Sequence, residues 1–347
     1  MSKKIKIGNI YIGGGEKIAV QSMSTYKLKD VKNAIESTLE LENAGCDVIR
    51  FSVLDEEDAK SIKEIKKHIS IPLVADIHFD YRLALRAIEN GADKIRINPG
   101  NIGREENVAA VAAMLKESGT PVRVGSNTGS IEKEFLSKYG KNEISLAESA
   151  LKNVAVLEKH GVENIVISVK ASDVPLTVKA YKYIAAKTDY PLHLGVTEAG
   201  TEYNGVIKNS MAIGALLLDG IGDTIRVSLS ADPVREVVAA RAVLSGLNII
   251  NDGVKIVACP TCGRCEWDCM RFADKVEKYV SGIKSPLKIA VMGCAVNGPG
   301  EAADADLGIA GGKDCCVIFK DGKIIKKIDK TEAEEVFFGE IDKCIRR

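Results

Sequence analysis

Apolar and polar positions along the chain recur in two distinct periods. From about residue 19, short runs of consecutive apolar residues give way to longer stretches where apolar residues return every three or four positions. The first pattern reads as buried strands and the second as amphipathic helices. Strands are expected at 19–23, 47–53, 73–79, 94–99, 122–127, 164–172, 192–197 and 223–229. Helical patterns between them cover 30–44, 56–68, 81–90, 105–118, 145–160, 174–187, 205–219 and 233–247. This alternation predicts repeated βα units about a parallel sheet. Eight units ending near residue 250 predict an α/β fold of the (β/α)8 TIM type, with an open doubly wound sheet as the competing architecture.

Before the first strand, the segment from Lys6 to Gly15 reads as a hairpin with a glycine-rich turn, suited to closing the bottom of a barrel. No helix start follows these glycines, so a turn is favoured over a phosphate cradle. After Asn251-Asp252-Gly253 the pattern changes. A strand at 254–258 leads into Cys259. A helix at 265–280, a strand at 287–292, a loop at 293–301 and short strands at 315–320 and 323–328 then predict a small α+β module. The expected division is a substrate-binding barrel over 1–250 and a cofactor-bearing module over 251–347.

The 347 residues are 46% hydrophobic and 28% charged, enough for a sizeable core. Lys+Arg and Asp+Glu both total 48, and the resulting zero net charge argues against a nucleic-acid or membrane-surface protein. No window approaches the roughly 18 consecutive apolar residues of a membrane span, and the first residues lack the apolar core of a signal peptide. The chain therefore reads as soluble and cytoplasmic. Of nine cysteines, Cys46 stands alone in the first 258 residues and the rest lie between Cys259 and Cys344, which points to metal ligation rather than a disulfide framework.

An active site in such a barrel forms at the C-terminal ends of the strands. Those ends carry Arg50 and Ser52; Asp76 and His78; Arg96, Asn98 and Asn101; Arg123, Ser126 and Asn127; Ser168 and Lys170; His193 and Glu198; Arg226 and Ser228. Burying a charge in a strand is costly unless it is paired or liganded. One such cation is usually a structural ion pair, but Arg50, Arg96, Arg123, Lys170 and Arg226 at equivalent positions point to a multiply charged anion such as a phosphate or diphosphate. His78 and His193 suit acid–base work and core hydrogen bonding equally well. Glu198, among these cations, is the better candidate for a catalytic carboxylate.

In the tail, Cys259, Cys262, Cys265 and Cys269 have the spacing C-x2-C-x2-C-x3-C of a ferredoxin run, with Met270 where proline usually follows. No second complete run accompanies it. Cys269, Ala273, Val276 and Val280 also recur at helical spacing as one buried stripe. Cys294, flanked by glycine in Met292-Gly-Cys-Ala-Val-Asn-Gly-Pro-Gly-Glu301, is a second partner for Cys259 and Cys262, with an oxygen donor or none at a fourth iron. Structural zinc is the alternative for any such cysteine pair.

With these residues in view, the chain resembles the 4-hydroxy-3-methylbut-2-enyl diphosphate synthase family of the methylerythritol phosphate route to isoprenoids. The matching segments include Ala19-Val-Gln-Ser-Met, Asp76-Ile-His-Phe-Asp, Ile95-Arg-Ile-Asn-Pro-Gly-Asn-Ile-Gly, Val122-Arg-Val-Gly-Ser-Asn, Ser168-Val-Lys-Ala-Ser, His193-Leu-Gly-Val-Thr-Glu-Ala-Gly, Cys259-Pro-Thr-Cys-Gly-Arg and Met292-Gly-Cys-Ala-Val-Asn-Gly-Pro-Gly-Glu-Ala. The resemblance implies a [4Fe-4S] cluster held by Cys259, Cys262, Cys294 and the carboxylate of Glu301, with Cys265 and Cys269 outside the ligand set. Glu301 would be a weak, displaceable ligand. It implies two-electron reductive ring opening and dehydration of 2-C-methyl-D-erythritol 2,4-cyclodiphosphate, with Arg50, Arg96, Arg123, Asn127, Lys170 and Ser228 binding the diphosphate and Glu198 as the essential carboxylate. It further implies flavodoxin or ferredoxin as electron donor, and a homodimer in which the cluster domain of one subunit caps the barrel of its partner. A pure electron carrier would leave the arginines without a use. A pterin-binding barrel with a zinc-stabilised tail would leave most of the tail cysteines without one.

Overall fold

The computed structural model describes residues 1–251 and 253–346; Asp252, within the expected boundary segment, and Arg347 lie outside the described residues. The chain separates into two compact units, Met1–Leu247 and Asn248–Arg347.

The first unit opens with an antiparallel hairpin, β1 (Ile5–Ile7) and β2 (Ile10–Ile12). Its turn falls at Gly8-Asn9, so the glycine run at 13–15 follows the hairpin instead of forming its turn. Eight parallel strands come next: β3 (Ala19–Met23), β4 (Val48–Ser52), β5 (Leu73–Asp76), β6 (Lys94–Arg96), β7 (Val122–Asn127), β8 (Ile165–Lys170), β9 (His193–Leu194) and β10 (Thr224–Ile225). They lie side by side in the order β8-β7-β6-β5-β4-β3-β10-β9, and a parallel bridge between Ile167 and Leu192 joins the two ends into a ring. The architecture is the TIM-type barrel, not the open sheet. Helices α1 (Val31–Asn43), α2 (Glu56–Ile65), α3 (Tyr81–Glu89), α4 (Glu105–Ser118), α5 (Lys133–Tyr139), α6 (Glu143–Lys159), α7 (Val174–Ala185), α8 (Glu202–Leu218) and α9 (Pro233–Gly246) connect and follow the strands. Several start on an aspartate: the side chain of Asp55 accepts from the Asp58 amide at 3.0 Å, and that of Asp173 from the Leu176 amide at 2.7 Å. The seven-residue α5 lies in a stretch where the sequence patterns placed no element.

Strand parity decides the barrel's chemistry, because successive side chains face opposite sides. Outward positions such as Ile49, Phe51, Leu73, Ile95, Val122, Ile165 and Ile167 are apolar and buried, consistent with a helical cover. Inward positions change character along the axis. At the N-terminal end Ala19, Val48, Val74 and Val166 form one buried cluster with Ile5, Ile7 and Ile12 of the hairpin. The hairpin thus plugs the bottom, and truncating Ile7 to Ala would cost roughly 2–5 kcal/mol. Higher up, the inward positions are polar. Polar side chains rather than an apolar core fill the upper half.

The second unit is a five-stranded sheet, β11 (Lys255–Ala258), β12 (Lys288–Met292), β13 (Leu307–Gly311), β14 (Cys315–Lys320) and β15 (Lys323–Asp329), in sequential order. The first three strands are parallel and the last two pairings antiparallel. Helices α10 (Cys269–Val280), α11 (Gly298–Glu301) and α12 (Ala333–Ile345) complete it. Phe272, Val276, Ile289, Ile309, Ile318 and Phe337 belong to its core. The helix expected over 265–280 begins only at Cys269, where the Asp268 side chain accepts from the Arg271 amide. The central strand β13 escaped the sequence reading because glycines interrupt it. They are required: a Cβ on Gly308 would lie 2.1 Å from the Phe319 ring, and one on Gly311 would lie 2.0 Å from Trp267.

Candidate active site

The cationic strand-end residues meet in one place. Arg50, Arg96, Arg123, Asn127, Ser168, Lys170, Thr197, Arg226 and Ser228 line a cavity of about 90 Å³ in the upper barrel. Register explains the convergence. Asp76 is paired with Arg96, and Arg96 with Arg123, across β5, β6 and β7, while Asn127 is paired with Lys170 across β7 and β8. All six residues of the expected diphosphate set border this cavity, and so does Arg226.

Two carboxylates organise the cations. Asp76 is buried and lies between two of them: its Oδ2 is 3.0 Å from an Arg50 terminal nitrogen and its Oδ1 is 3.2 Å from Arg96 Nη1. Burial works against its ionisation, but Arg50, Arg96 and Arg123 outweigh that and hold its carboxyl below the usual 3.8. Glu236 on α9 is also buried. It stands 3.3 Å from Arg226 and accepts a bond of 3.0 Å from the Leu229 amide. Sequence reasoning noted Asp76 without a role and missed Glu236, whose helical position hides it among surface carboxylates.

Arg123 and Lys170 differ from their neighbours. Both are buried, and among the described residues neither has an ion-pair partner. Burial, then the adjacent Arg50 and Arg96, pulls Arg123 well below its ordinary 12.5, with only partial relief from Asp76. Burial, then Arg123, Arg226, Arg50 and Arg96, pulls Lys170 well below 10.5. Arg50 is held to about 10 chiefly by burial, against the pull of Asp76. The cavity therefore carries an excess of cationic groups that its two carboxylates do not balance, an arrangement complementary to a compact polyanion.

The remaining candidates fall elsewhere. His193 lies inside the barrel, with no solvent exposure and, among the described residues, no hydrogen-bond partner for either ring nitrogen. Burial and the surrounding Arg123, Lys170, Lys94 and Arg50 keep its ring neutral. His78 is half-exposed, its Nε2 4.0 Å from Asp76 Oδ2. Glu198 is exposed and does not line the cavity, although its neighbour Thr197 does. Its backbone has φ +52°, the left-handed region that non-glycine residues seldom adopt.

In the second unit, Cys259 follows β11 and Cys294 follows the adjacent parallel strand β12, and the Cys259 amide donates to the Val291 carbonyl at 2.9 Å. The two loops thus leave the same end of the sheet. Among the described residues no three His, Cys, Asp or Glu side chains converge to hold a single metal ion, and all nine cysteines are free thiols. The five thiols of the two cysteine motifs nevertheless divide into two kinds. Cys265 donates to the Trp267 carbonyl at 3.1 Å and Cys269 to the Val291 carbonyl at 3.8 Å, whereas no hydrogen bond of Cys259, Cys262 or Cys294 Sγ is formed among the described residues. Gly293 opens the space between the loops: a Cβ there would stand 3.0 Å from Cys265 Sγ and 3.5 Å from Cys259 Sγ. Three uncommitted soft sulfur donors, with the exposed Glu301 carboxylate at the end of α11, make a donor set suited to an iron–sulfur group rather than to one hard ion.

Comparison with known proteins agrees with this architecture. The GcpE TIM-barrel domain family matches residues 2–241, and the GcpE protein C-terminal domain family matches residues 255–343. A protein of Caldanaerobacter subterraneus subsp. tengcongensis named 4-hydroxy-3-methylbut-2-en-1-yl diphosphate synthase (flavodoxin) is 57% identical over 347 residues, covering 100% of this chain and 98% of that one. One of the same name from Caldicellulosiruptor saccharolyticus is 53% identical over 342 residues, covering 98% of each. Among solved structures, dihydropteroate synthase from Xanthomonas albilineans matches with a TM-score of 0.51 at 13% identity, covering 71% of this chain and 98% of that one; the likeness is one of barrel fold alone. From the barrel, the tail module and these relatives together, the chain belongs to the GcpE family, the 4-hydroxy-3-methylbut-2-en-1-yl diphosphate synthases.

Proposed function

We propose that this enzyme carries out the two-electron reductive ring opening and dehydration of 2-C-methyl-D-erythritol 2,4-cyclodiphosphate, giving 4-hydroxy-3-methylbut-2-enyl diphosphate for isoprenoid synthesis. The observation that carries the reading is the cationic cavity, and within it Arg123 and Lys170, buried without a carboxylate partner among the described residues. A cyclic diphosphate supplies the missing negative charge. Arginine forks engage its oxygens in pairs, while Asn127 and Ser228 add neutral polar contacts at the same cavity. Asp76 and Glu236 keep Arg50, Arg96 and Arg226 aimed while leaving Arg123 and Lys170 to the ligand.

Cys259, Cys262, Cys294 and Glu301 would hold a [4Fe-4S] cluster. When bound, it supplies single electrons and a Lewis-acidic iron. The reaction consumes two electrons and releases the lost hydroxyl as water, so protons must reach the substrate. The Glu198 carboxyl, on its strained backbone beside Thr197, serves as the proton-handling group at the rim. The electron donor is flavodoxin, as the relatives' names have it, with ferredoxin as the alternative. The working enzyme is a cytoplasmic homodimer in which each cluster domain caps the partner's barrel.

The test is turnover. Anaerobically purified enzyme should absorb near 410 nm and convert the cyclic diphosphate to the linear allylic diphosphate with reduced flavodoxin, followed by mass spectrometry. A full complement of iron and sulfide with no such product would refute the reading.

A further inference from the structure

Beneath the cavity lies a second layer of the barrel interior that the proposed chemistry does not use. Gln21 on β3, Lys94 on β6, His193 on β9 and Thr224 on β10 point inward there, each at most 1% exposed. Among the described residues, both side-chain amide atoms of Gln21, Lys94 Nζ, both ring nitrogens of His193 and Thr224 Oγ1 have no hydrogen-bond partner. Buried polar groups are ordinarily satisfied, so this concentration calls for an explanation.

Lys94 is the sharpest case. Of the groups around it, Arg50 on β4 and Arg123 on β7 repel its ammonium, and His193 on β9 is held neutral by the same field. Gln21 and Thr224 are uncharged, and the inward neighbours from β5 and β8 are Val74 and Val166. Both carboxylates of the upper barrel are committed elsewhere, Asp76 to Arg50 and Arg96 and Glu236 to Arg226. Lys94 therefore sits in a low-dielectric layer among like charges, with no counter-ion among the described residues.

We propose that Lys94 is uncharged when no anion is bound, and takes up a proton when a multiply charged anion seats on the guanidinium groups above it, so that anion binding is coupled to proton uptake. The inference rests on the diphosphate reading of the cavity. A polyanion at Arg50 and Arg123 reverses the sign of the field that Lys94 feels, which restores its ammonium. That ammonium then draws the anion in turn, as linkage requires. Lys94 does not line the cavity; it is a positioning residue that acts through Arg50 and Arg123. Burial and the same arginines bring its proton affinity to about 7, against an ordinary 10.5. Lys170, which does line the cavity, is displaced in the same direction and adds a separate uptake of its own.

Calorimetric titration of the full-length chain with inorganic pyrophosphate at pH 8, in two buffers of different ionisation enthalpy, counts the protons taken up. The wild type is expected to take up about one proton more than Lys94→Met, and to bind about tenfold more tightly. The titrations of pyrophosphate and Lys170 are common to both proteins and drop out of the difference. Equal proton counts in two folded proteins would overturn the proposal. If the Met variant does not fold, Lys94→Gln is read in the same way. The wild-type affinity measured from pH 7 to pH 10 serves as the second readout, and a loss no steeper than pyrophosphate's own titration would overturn the proposal too. Pyrophosphate binding that is absent, or indifferent to Arg123→Met, would instead sink the diphosphate reading and this proposal with it. Binding that needs Arg123 but leaves the proton count independent of Lys94 would sink this proposal alone.

Discussion

Replacing Lys94 with Met should make the barrel more stable, by an amount that depends on pH in a defined way. Lys94 is fully buried without a counter-ion among the described residues, and burial followed by Arg123 and Arg50 brings its pKa to about 7 from 10.5. At about 1.4 kcal/mol per tenfold change, burying this amine costs on the order of 5 kcal/mol below pH 7 and about 4 kcal/mol at pH 7.5. Between pH 7 and 10.5 the unfolded chain holds the proton that the folded chain has lost. The wild type therefore gains stability as pH rises through this window, and by pH 9.5 the cost has fallen to about 1 kcal/mol. Methionine has nearly the same length and no charge. After allowing for imperfect packing, Lys94→Met should stabilise by about 2–4 kcal/mol at pH 7.5 and by less than about 1 kcal/mol at pH 9.5. Urea unfolding followed by far-ultraviolet circular dichroism reads the barrel, which holds most of the helix. The only tryptophan, Trp267, lies in the second unit and provides an internal control. A variant less stable than wild type at pH 7.5, or a difference that does not narrow toward pH 9.5, would refute the reasoning.

Other substitutions separate the roles of neighbouring residues. Arg123→Met should weaken pyrophosphate binding about 10- to 100-fold while leaving the urea midpoint unchanged or higher, because no carboxylate is orphaned when this guanidinium goes; an unchanged Kd in calorimetry would remove Arg123 from the anion site. Glu236→Gln should destabilise the barrel by about 2–4 kcal/mol, since it leaves the largely enclosed Arg226 unpaired, and a midpoint equal to wild type would show that Arg226 finds another partner. Glu198→Gly should raise stability by about 0.5–1 kcal/mol by relieving the positive φ while abolishing turnover, and retained turnover would rule out a proton-handling role. Cys294→Ala should lose the absorbance near 410 nm and most bound iron, whereas Cys265→Ala should keep both; equal loss in the two would place Cys265 among the ligands.

Much of this protein was legible in its sequence because the relevant physics is local. Strand and helix periods differ, so the eight βα units and the change of pattern near residue 250 could be read directly. A charge inside an apolar strand run is conspicuous, so Arg50, Arg96, Arg123 and Lys170 stood out before any fold was known. What the sequence could not show depends on register, closure and packing. Asp76 is the keystone between Arg50 and Arg96 because the pairing of β4, β5 and β6 brings all three together. Glu236 reaches Arg226 from a helix that looks like any amphipathic one. Glu198, adjacent in sequence to a cavity residue, is turned out to the surface by a left-handed backbone that no local pattern announces. The strand β13 was hidden because its glycines, which weaken a strand signal, are the residues that admit Phe319 and Trp267. Local sequence determined which residues were available. Closing the ring decided which of them share a layer, and therefore why Lys94, two positions before the cavity's Arg96, lies below the site instead of within it.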